Sequence, residues 1–582
     1  MSLLAPITSD PSFQWNEKTA RHLLNRAGFG APVTAIKKLA ALPPGTAVAS
    51  FVDFDNLPDA GPPPPALPEK IPGEKVREIR DGLSEEDRRE YDRRRRRDKQ
   101  NGLVDMQTWW ITRMVRSQRP LQEKVALMWH GHFATSAQKV DEPLDNLELN
   151  QIFRTQGTGN FRELVRAVGK SPCMLRYLDQ QQSRKEKPNE NWARELMELF
   201  TLGIGNYTER DIKEAARAFT GWTIRQGEFF NNGRRHDDSL KVIFNTRQAY
   251  DGDGVLDLIV SQPACAEFIC KKIWTYFAYD DPEPEVISGL ADTFRRFDTN
   301  LKPVLRQMFL SRAFYQEKAY FSQVKSPAQL VVGLMSQLDT RDPEVAQMGA
   351  FAMRAMGQNL FYPPNVKGWD GGQAWINTNT LLVRYNFSSF LVSGVIPEIQ
   401  GSGAARRDFL KAMSGRDRDD NAGSGSMMQS DSGGDGMMMM GTSPDDDDST
   451  APVGQDAMPR DIASQTFYRK LRERRAERRE TRNMTPEERR RHREESRLLS
   501  QAPFEAREFF SKFGGRTPEG VIEALEGYFL GFALDNRQRM RLKEVLAQGV
   551  PDGKIVPVDR MAEEDLRATV QLLLSTVEYQ VC

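Results

Sequence analysis

The side chains best suited to chemistry in this chain are few. They are its five histidines and a handful of carboxylates placed where an apolar helix face ends. His130 and His132 flank Gly131; on an unbroken helix, residues two apart point about 200° away from each other. They can converge on one ion only if the glycine ends the helix or the backbone there is extended. His236 is followed directly by Asp237. Three imidazoles and a carboxylate make a ligand set for a divalent ion, which would lower the pKa of bound water towards ~7. Glu195 and Glu198 would supply the acid–base partner, Glu195 as general base with its pKa raised by apolar surroundings. Arg235 or Lys241 would hold an anionic substrate and Trp222 would line its site. The sequence carries no nucleotide or flavin signature.

The two glutamates need an element that holds them, and the stretch PNENWARELMELFTLGIGNYTERDIKEAARAFTGW, Pro188 to Trp222, reads as two punctuated helices. Asn189 caps the first and Gly203 ends it. Thr208 caps the second, with Asp211 three residues on in a capping-box pattern. On the first, Trp192, Leu196, Leu199 and Phe200 share an apolar arc, and Glu195 and Glu198 lie at its edge as i,i+3 neighbours. Two carboxylates at a core boundary are costly unless paired or bound to a cation. Salt bridges to Arg194 or Arg217 are the plainer alternative to a metal or an acid–base role.

The histidines need their own frame. WWITRMVRSQRPLQEKVALMWHGHFATSAQKV reads as two helices, the second ending near His130–Gly131–His132. EFFNNGRRHDDSLKVIFN, which carries His236 and Asp237, has strand or loop character. DGDGVLDLIV mimics part of a calcium loop, but the glycine and terminal glutamate of that motif are missing, and Asp253 reads better as a helix N-cap. YPPNVKGWDGGQAWIN, 362–377, is a Pro/Gly/Trp-rich loop that should pack its tryptophans over the core or over a pocket.

Periodicity is helical nearly throughout, so the fold class is mostly α, a large multi-helix domain with charged and low-complexity insertions and few or no strands. The order is an N-terminal helical part of the core at 13–58, a Pro-rich and charged helical insert at 59–102, and the main helical core at 103–400. A Ser/Gly/Asp/Met linker of disordered composition follows at 401–459, then a charged helical arm at 460–500 and C-terminal helices at 501–582 returning to the core. Met437–Met440 in the linker offer soft thioether donors, although a biased spacer accounts for them without metal.

Lysine plus arginine and aspartate plus glutamate number 81 each, so global charge names no partner. The charged segment 84–99 includes five consecutive arginines. Acidic residues flank them, with little aromatic interleaving, which argues against nucleic acid and for a solvated arm or a protein partner. No run of apolar residues is long enough for a membrane helix. The N-terminus lacks a basic and apolar leader pattern, and ARRDFLKAMSG at 405–415 is internal and lacks an apolar stretch after it. Four cysteines without a CxxC pair read as buried or idle thiols. The cytoplasm is the default location, with export alongside a partner left open.

Taken together, the blocks HLLNRAGFG, PLQEKVALMWHGHFATS, NFRELVRAV, Pro188–Trp222, the His236–Asp237 pair and PPNVKGWDGGQAWINT resemble a bacterial family known as domain of unknown function 1800. The likeness covers about residues 18 to 395, and the C-terminal helices are similar to the family's tail. Two positions depart: Phe200 stands where members often have histidine, and Ser171-Pro172-Cys173-Met174-Leu175 where they often read DPAML. The resemblance implies a neighbouring sulfatase-like partner family but no defined reaction. Two functions follow. One is a metal-dependent hydrolase or related enzyme built on His130, His132, His236 and Asp237 with Glu195 and Glu198. The other is a non-catalytic helical scaffold or accessory protein, whose charged arms engage a partner while the same polar residues fix the fold.

Overall fold

The computed structural model describes residues 2–340, 343–393, 504–513, 517–547 and 561–582. The linker 401–459 and the arm 460–500, with Met437–Met440 among them, lie outside the described residues. Those that are described all belong to one unit, Met1–Pro397 with Ser496–Cys582.

The chain is mostly α-helical, with two small antiparallel hairpins. The first long helix of the core begins at Glu17, where Asn16 and Thr19 form a capping box. It buries Ala20, Leu23, Leu24 and Ala27, an i, i+3, i+4, i+7 stripe.

The charged segment and the tryptophan segment after it are one element. Glu85–Arg116 is a continuous helix of 32 residues capped by Ser84, about 48 Å long at 1.5 Å per residue. Its first half is solvated, with Arg93, Arg94, Arg96 and Arg97 exposed. Its second half enters the core through Leu103, Met106, Trp110 and Met114. Gly102 sits at the changeover, where a Cβ would come within 3.2 Å of Pro68 and Pro143. Glycine suits this close passage, since a Cβ would require those side chains to give by a few tenths of an ångström.

Pro120–His132, with proline in its first turn, is buried on nearly every side from Leu121 to His130. It packs beside Pro143–Gln156. A helix so enclosed must satisfy its polar residues internally. Glu123, fully buried, accepts from Trp110 Nε1 at 3.0 Å, Arg113 Nε at 2.6 Å and Arg154 Nε at 2.8 Å. Burial alone would raise this carboxyl, but Arg154 and Arg113 outweigh it and hold it below its usual range.

Glu190–Glu195 is capped by Asn189, and Glu209–Ala218 by the Thr208–Asp211 capping box. Between them the first helix widens into a π-turn, Leu196–Thr201, ending at Gly203 with φ +79°. Glycine is required there twice over, because a Cβ would lie 2.9 Å from the Phe268 ring.

The strand-or-loop stretch forms the hairpins Trp222–Arg225 with Glu228–Asn231 and Lys241–Ile243 with Thr246–Gln248. Each turns on two consecutive residues of positive φ, Gln226–Gly227 and Phe244–Asn245, the backbone of a type I′ turn. Asp251, not Asp253, caps the next helix, its carboxylate accepting from Gly254 N at 2.8 Å. Asp253 lies in the first turn and pairs with Arg166 and Lys170.

The C-terminal helices close the core. Glu563–Leu574 packs on Thr378–Ser393, Arg21 donates to the carbonyls of Gly527 and Tyr528, and Val581 bridges to Val324. All four cysteines are buried and free. Among the described residues, no helix is long and apolar enough to cross a membrane.

Candidate functional site

The Pro120–His132 helix carries His130 and His132 into its last turn, and the two rings leave in different directions. His130 lies among Trp110, Phe361 and Trp369, and its Nε2 accepts the Phe361 amide proton at 3.0 Å. The ring proton is then on Nδ1, and burial pushes the pKa down to about 3, so the ring stays neutral. His132 faces Phe133, Phe200 and Phe268, and its Nε2 donates to the Phe200 carbonyl at 3.0 Å. Burial, reinforced by Lys272, takes it too to about 3.

His236 stands elsewhere, after the first hairpin. Its Nδ1 donates to the Thr220 carbonyl at 2.8 Å, which leaves Nε2 facing Asp238 at 3.8 Å. Asp237 accepts from Arg217 Nε at 2.8 Å and from Ser239 N at 3.0 Å. Burial would raise its carboxyl, but the bonds from Ser239 and Arg217 outweigh it and hold it well below the carboxylate range. Lys241 is fully buried and gives its ammonium to the Asp237 and Ser239 carbonyls. Arg235 is exposed, and its carbonyl receives Lys185 N at 2.8 Å. Trp222 is core: it packs on Phe219 and Phe229, and its ring lies 2.4 Å from where a Cβ on Gly252 would be. His22 donates to, or accepts beside, nothing in these clusters; its Nε2 meets the Phe314 carbonyl at 2.9 Å.

The predicted ligand set is therefore spread over separate environments. Among the described residues, no three His, Cys, Asp or Glu side chains are placed to hold a metal ion. Each histidine gives one ring nitrogen to a main-chain group. It is the separate surroundings of the rings, not the loss of every ligand nitrogen, that keep these four residues from forming one coordination sphere.

Glu195 and Glu198 are a different case. Arg194 does not pair with them; it forms a two-pronged bridge to Glu209 at 2.7 and 2.8 Å, while Arg217 serves Glu214 and Asp237. Glu198 accepts from the Tyr207 hydroxyl at 3.1 Å. Burial, with help from Glu198, pushes that hydroxyl up to about 12. Glu195 is half-buried and makes no hydrogen bond or ion pair with another described residue. Burial and then the Glu198 charge raise its pKa, with Arg194 and Lys367 partly opposing. A carboxyl that is sheltered, unpaired and shifted towards neutral is equipped to hand a proton on.

Lys367 belongs to the Pro/Gly/Trp-rich loop, which joins the two regions. The loop is anchored by the Phe361 amide on His130 and by Ala137 N, which donates to the Phe361 carbonyl at 2.8 Å. Gly368, at φ +83°, lies directly on Gly131: a Cβ there would be 2.1 Å from the Gly131 carbonyl oxygen. Trp369 crosses the end of the histidine helix, 5.5 Å from the His130 ring centroid. On its other side the loop borders a cleft of about 410 Å³, lined among others by Arg354, Trp369, Asp370, Trp375, Asn377 and Asn379. Sequence reasoning marked the tryptophans but not Arg354, 15 residues upstream of Trp369. It also passed over Lys124, whose placing in the apolar run LQEKVALMW was the available signal. That amine is fully buried without a hydrogen-bond partner, over the Phe29 ring, and burial takes it down to about 7.

The architecture and these clusters define the class: a mostly helical protein whose polar residues are held chiefly by main chain and by one another. Residues 22–581 match the family described as a protein of unknown function, DUF1800, and the chain belongs to that family. No curated protein and no solved structure matches it.

Proposed function

We propose that this protein is a non-catalytic helical scaffold or accessory protein that acts with a protein partner. The supporting observation is that the histidines of the family blocks each commit a ring nitrogen to a main-chain group, the behaviour of residues that fix a fold. The partner surface in this reading is the solvated half of the Glu85–Arg116 helix. Its exposed Arg93, Arg94, Arg96 and Arg97 have no acidic partner among the described residues. An acidic face on a protein of the sulfatase-like family implied by the resemblance would complement them. Elemental analysis of the purified protein, with His130→Ala and His236→Ala beside it, tests the reading. It expects no stoichiometric metal and a loss of thermal stability in both variants. One equivalent of metal that disappears in both would overturn it and restore the metal-dependent hydrolase.

One observation favours a second reading, enzymatic acid–base chemistry without those ligands. Glu195 is the sheltered, unpaired carboxyl beside Glu198. Phosphatase, esterase and sulfatase substrate panels run on the wild type and Glu195→Gln address it. Turnover abolished by that substitution would support it; no turnover on any panel would count against it.

A further inference from the structure

The cleft beside the Pro/Gly/Trp-rich loop is used by neither reading. Its lining is chemically mixed in a particular way. Two indoles contribute, Trp369 half-buried and Trp375 only 8% exposed. Neither indole N–H is a buried donor left without a partner. Around them stand a guanidinium, a carboxylate and two amides. Arg354, Asp370 and Asn379 are exposed, and their side chains make no hydrogen bond or ion pair with another described residue. Asn377 uses its carbonyl oxygen to cap Thr378–Ser393, accepting Thr380 N at 3.0 Å, which leaves its amide protons for a ligand. Between the tryptophans the backbone is bare: Gly371 and Gly372 both have positive φ, and a Cβ on either would meet nothing within 4 Å.

The ligand must match that inventory. An apolar molecule would leave the polar rim of the cleft unpaired. A phosphate or other strong anion would find one cation, Arg354, offset by Asp370 on the same wall. A pyranose ring, with apolar C–H faces and an edge of hydroxyls, satisfies every group: C–H faces on the indoles, hydroxyls donating to Asp370 and accepting from Arg354, Asn377 and Asn379. We propose that this cleft is a binding site for a neutral oligosaccharide. About 410 Å³ is within the size range of small-ligand sites, and the cleft opens to solvent, so a chain longer than the cleft can run out of it. The site is distinct from Glu195 and from the charged helix, so it holds or fails independently of the function proposed above.

The test uses the full chain and five neutral hexasaccharides as probes: cello-, xylo-, manno-, malto- and chitohexaose. Tryptophan fluorescence and titration calorimetry are the readouts. The expected result is saturable binding of at least one probe, weakened about tenfold or more by Trp369→Ala. Because Trp369 also packs on His130, Asp370→Asn and Asn379→Ala, both exposed, provide variants that keep the fold. Each should weaken binding with an unchanged melting temperature, and Glu195→Gln should leave binding intact. No binding of any of the five to the wild type would overturn the proposal. So would binding that survives Asp370→Asn and Asn379→Ala together, or displacement of the bound sugar by millimolar inorganic phosphate.

Discussion

His130 and Lys124 sit on one helix, both stripped of water, and each responds in the direction burial dictates. The imidazole is kept neutral by burial, and its Nε2 accepts the amide N–H of Phe361, 231 residues away. The amine has aromatic rings but no acceptor. Removing such an amine while keeping its volume should stabilise the fold, so Lys124→Met is expected to gain about 1 kcal/mol near neutral pH by denaturant unfolding. The pH dependence has a defined sign. With a pKa near 10.5 unfolded and about 7 folded, the unfolded chain holds the extra proton between those values. Raising pH across that window therefore stabilises the wild type relative to the variant, and the gap between them closes towards pH 10. At this scale the sequence was readable in part. Residue types and their nearness to apolar positions were plain, but the groups that engage them were not. Phe200 and Phe361 contribute a carbonyl and an amide, which every residue possesses and no motif announces.

Among the elements, capping was the most legible feature, because a cap is chemistry within four residues. Asn189, Thr208 with Asp211, and Gly203 all sit where their types place them. Thr208→Ala should accordingly cost about 1 kcal/mol in thermal or urea unfolding. The π-turn at Leu196–Thr201 was not legible, since it depends on the packing of Phe200 and Thr201 in a core assembled from distant segments. Nor was the fusion of the charged and apolar segments into one helix, Glu85–Arg116, which runs without a break from the charged insert into the main core. The loop at Gly368 makes a sharper forecast. Alanine there must adopt φ +83° and place its Cβ against the Gly131 carbonyl, so Gly368→Ala should lose ~3 kcal/mol or more of stability. It should also shift the fluorescence of Trp369. A variant as stable as wild type would show that the loop does not lie on the histidine helix.

For the molecule as a whole, the mostly helical class and the family were visible because both are carried by local pattern: apolar recurrence every three to four residues, and blocks of sequence quoted whole. Long-range closure is not carried that way. Gln337 illustrates it, receiving the Tyr528 hydroxyl on its main-chain carbonyl and the Tyr579 hydroxyl on its side chain, 191 and 242 residues further on. Tyr579→Phe would leave the Gln337 oxygen buried without a donor and should cost about 1–2 kcal/mol by calorimetry or denaturant unfolding. A loss of that size would tie the C-terminal segment to the stability of the entire helical body.

The central claim is that His130 and His132 serve the backbone and not a metal. Histidine-selective ¹⁵N NMR with the ring nitrogens labelled reads this directly. From pH 8 to pH 5, both rings should remain neutral in single tautomers, protonated on Nδ1 in His130 and on Nε2 in His132. One equivalent of zinc should leave their signals in place. Titration of either ring in that range, or loss of its tautomer signal when zinc is added, would contradict the account.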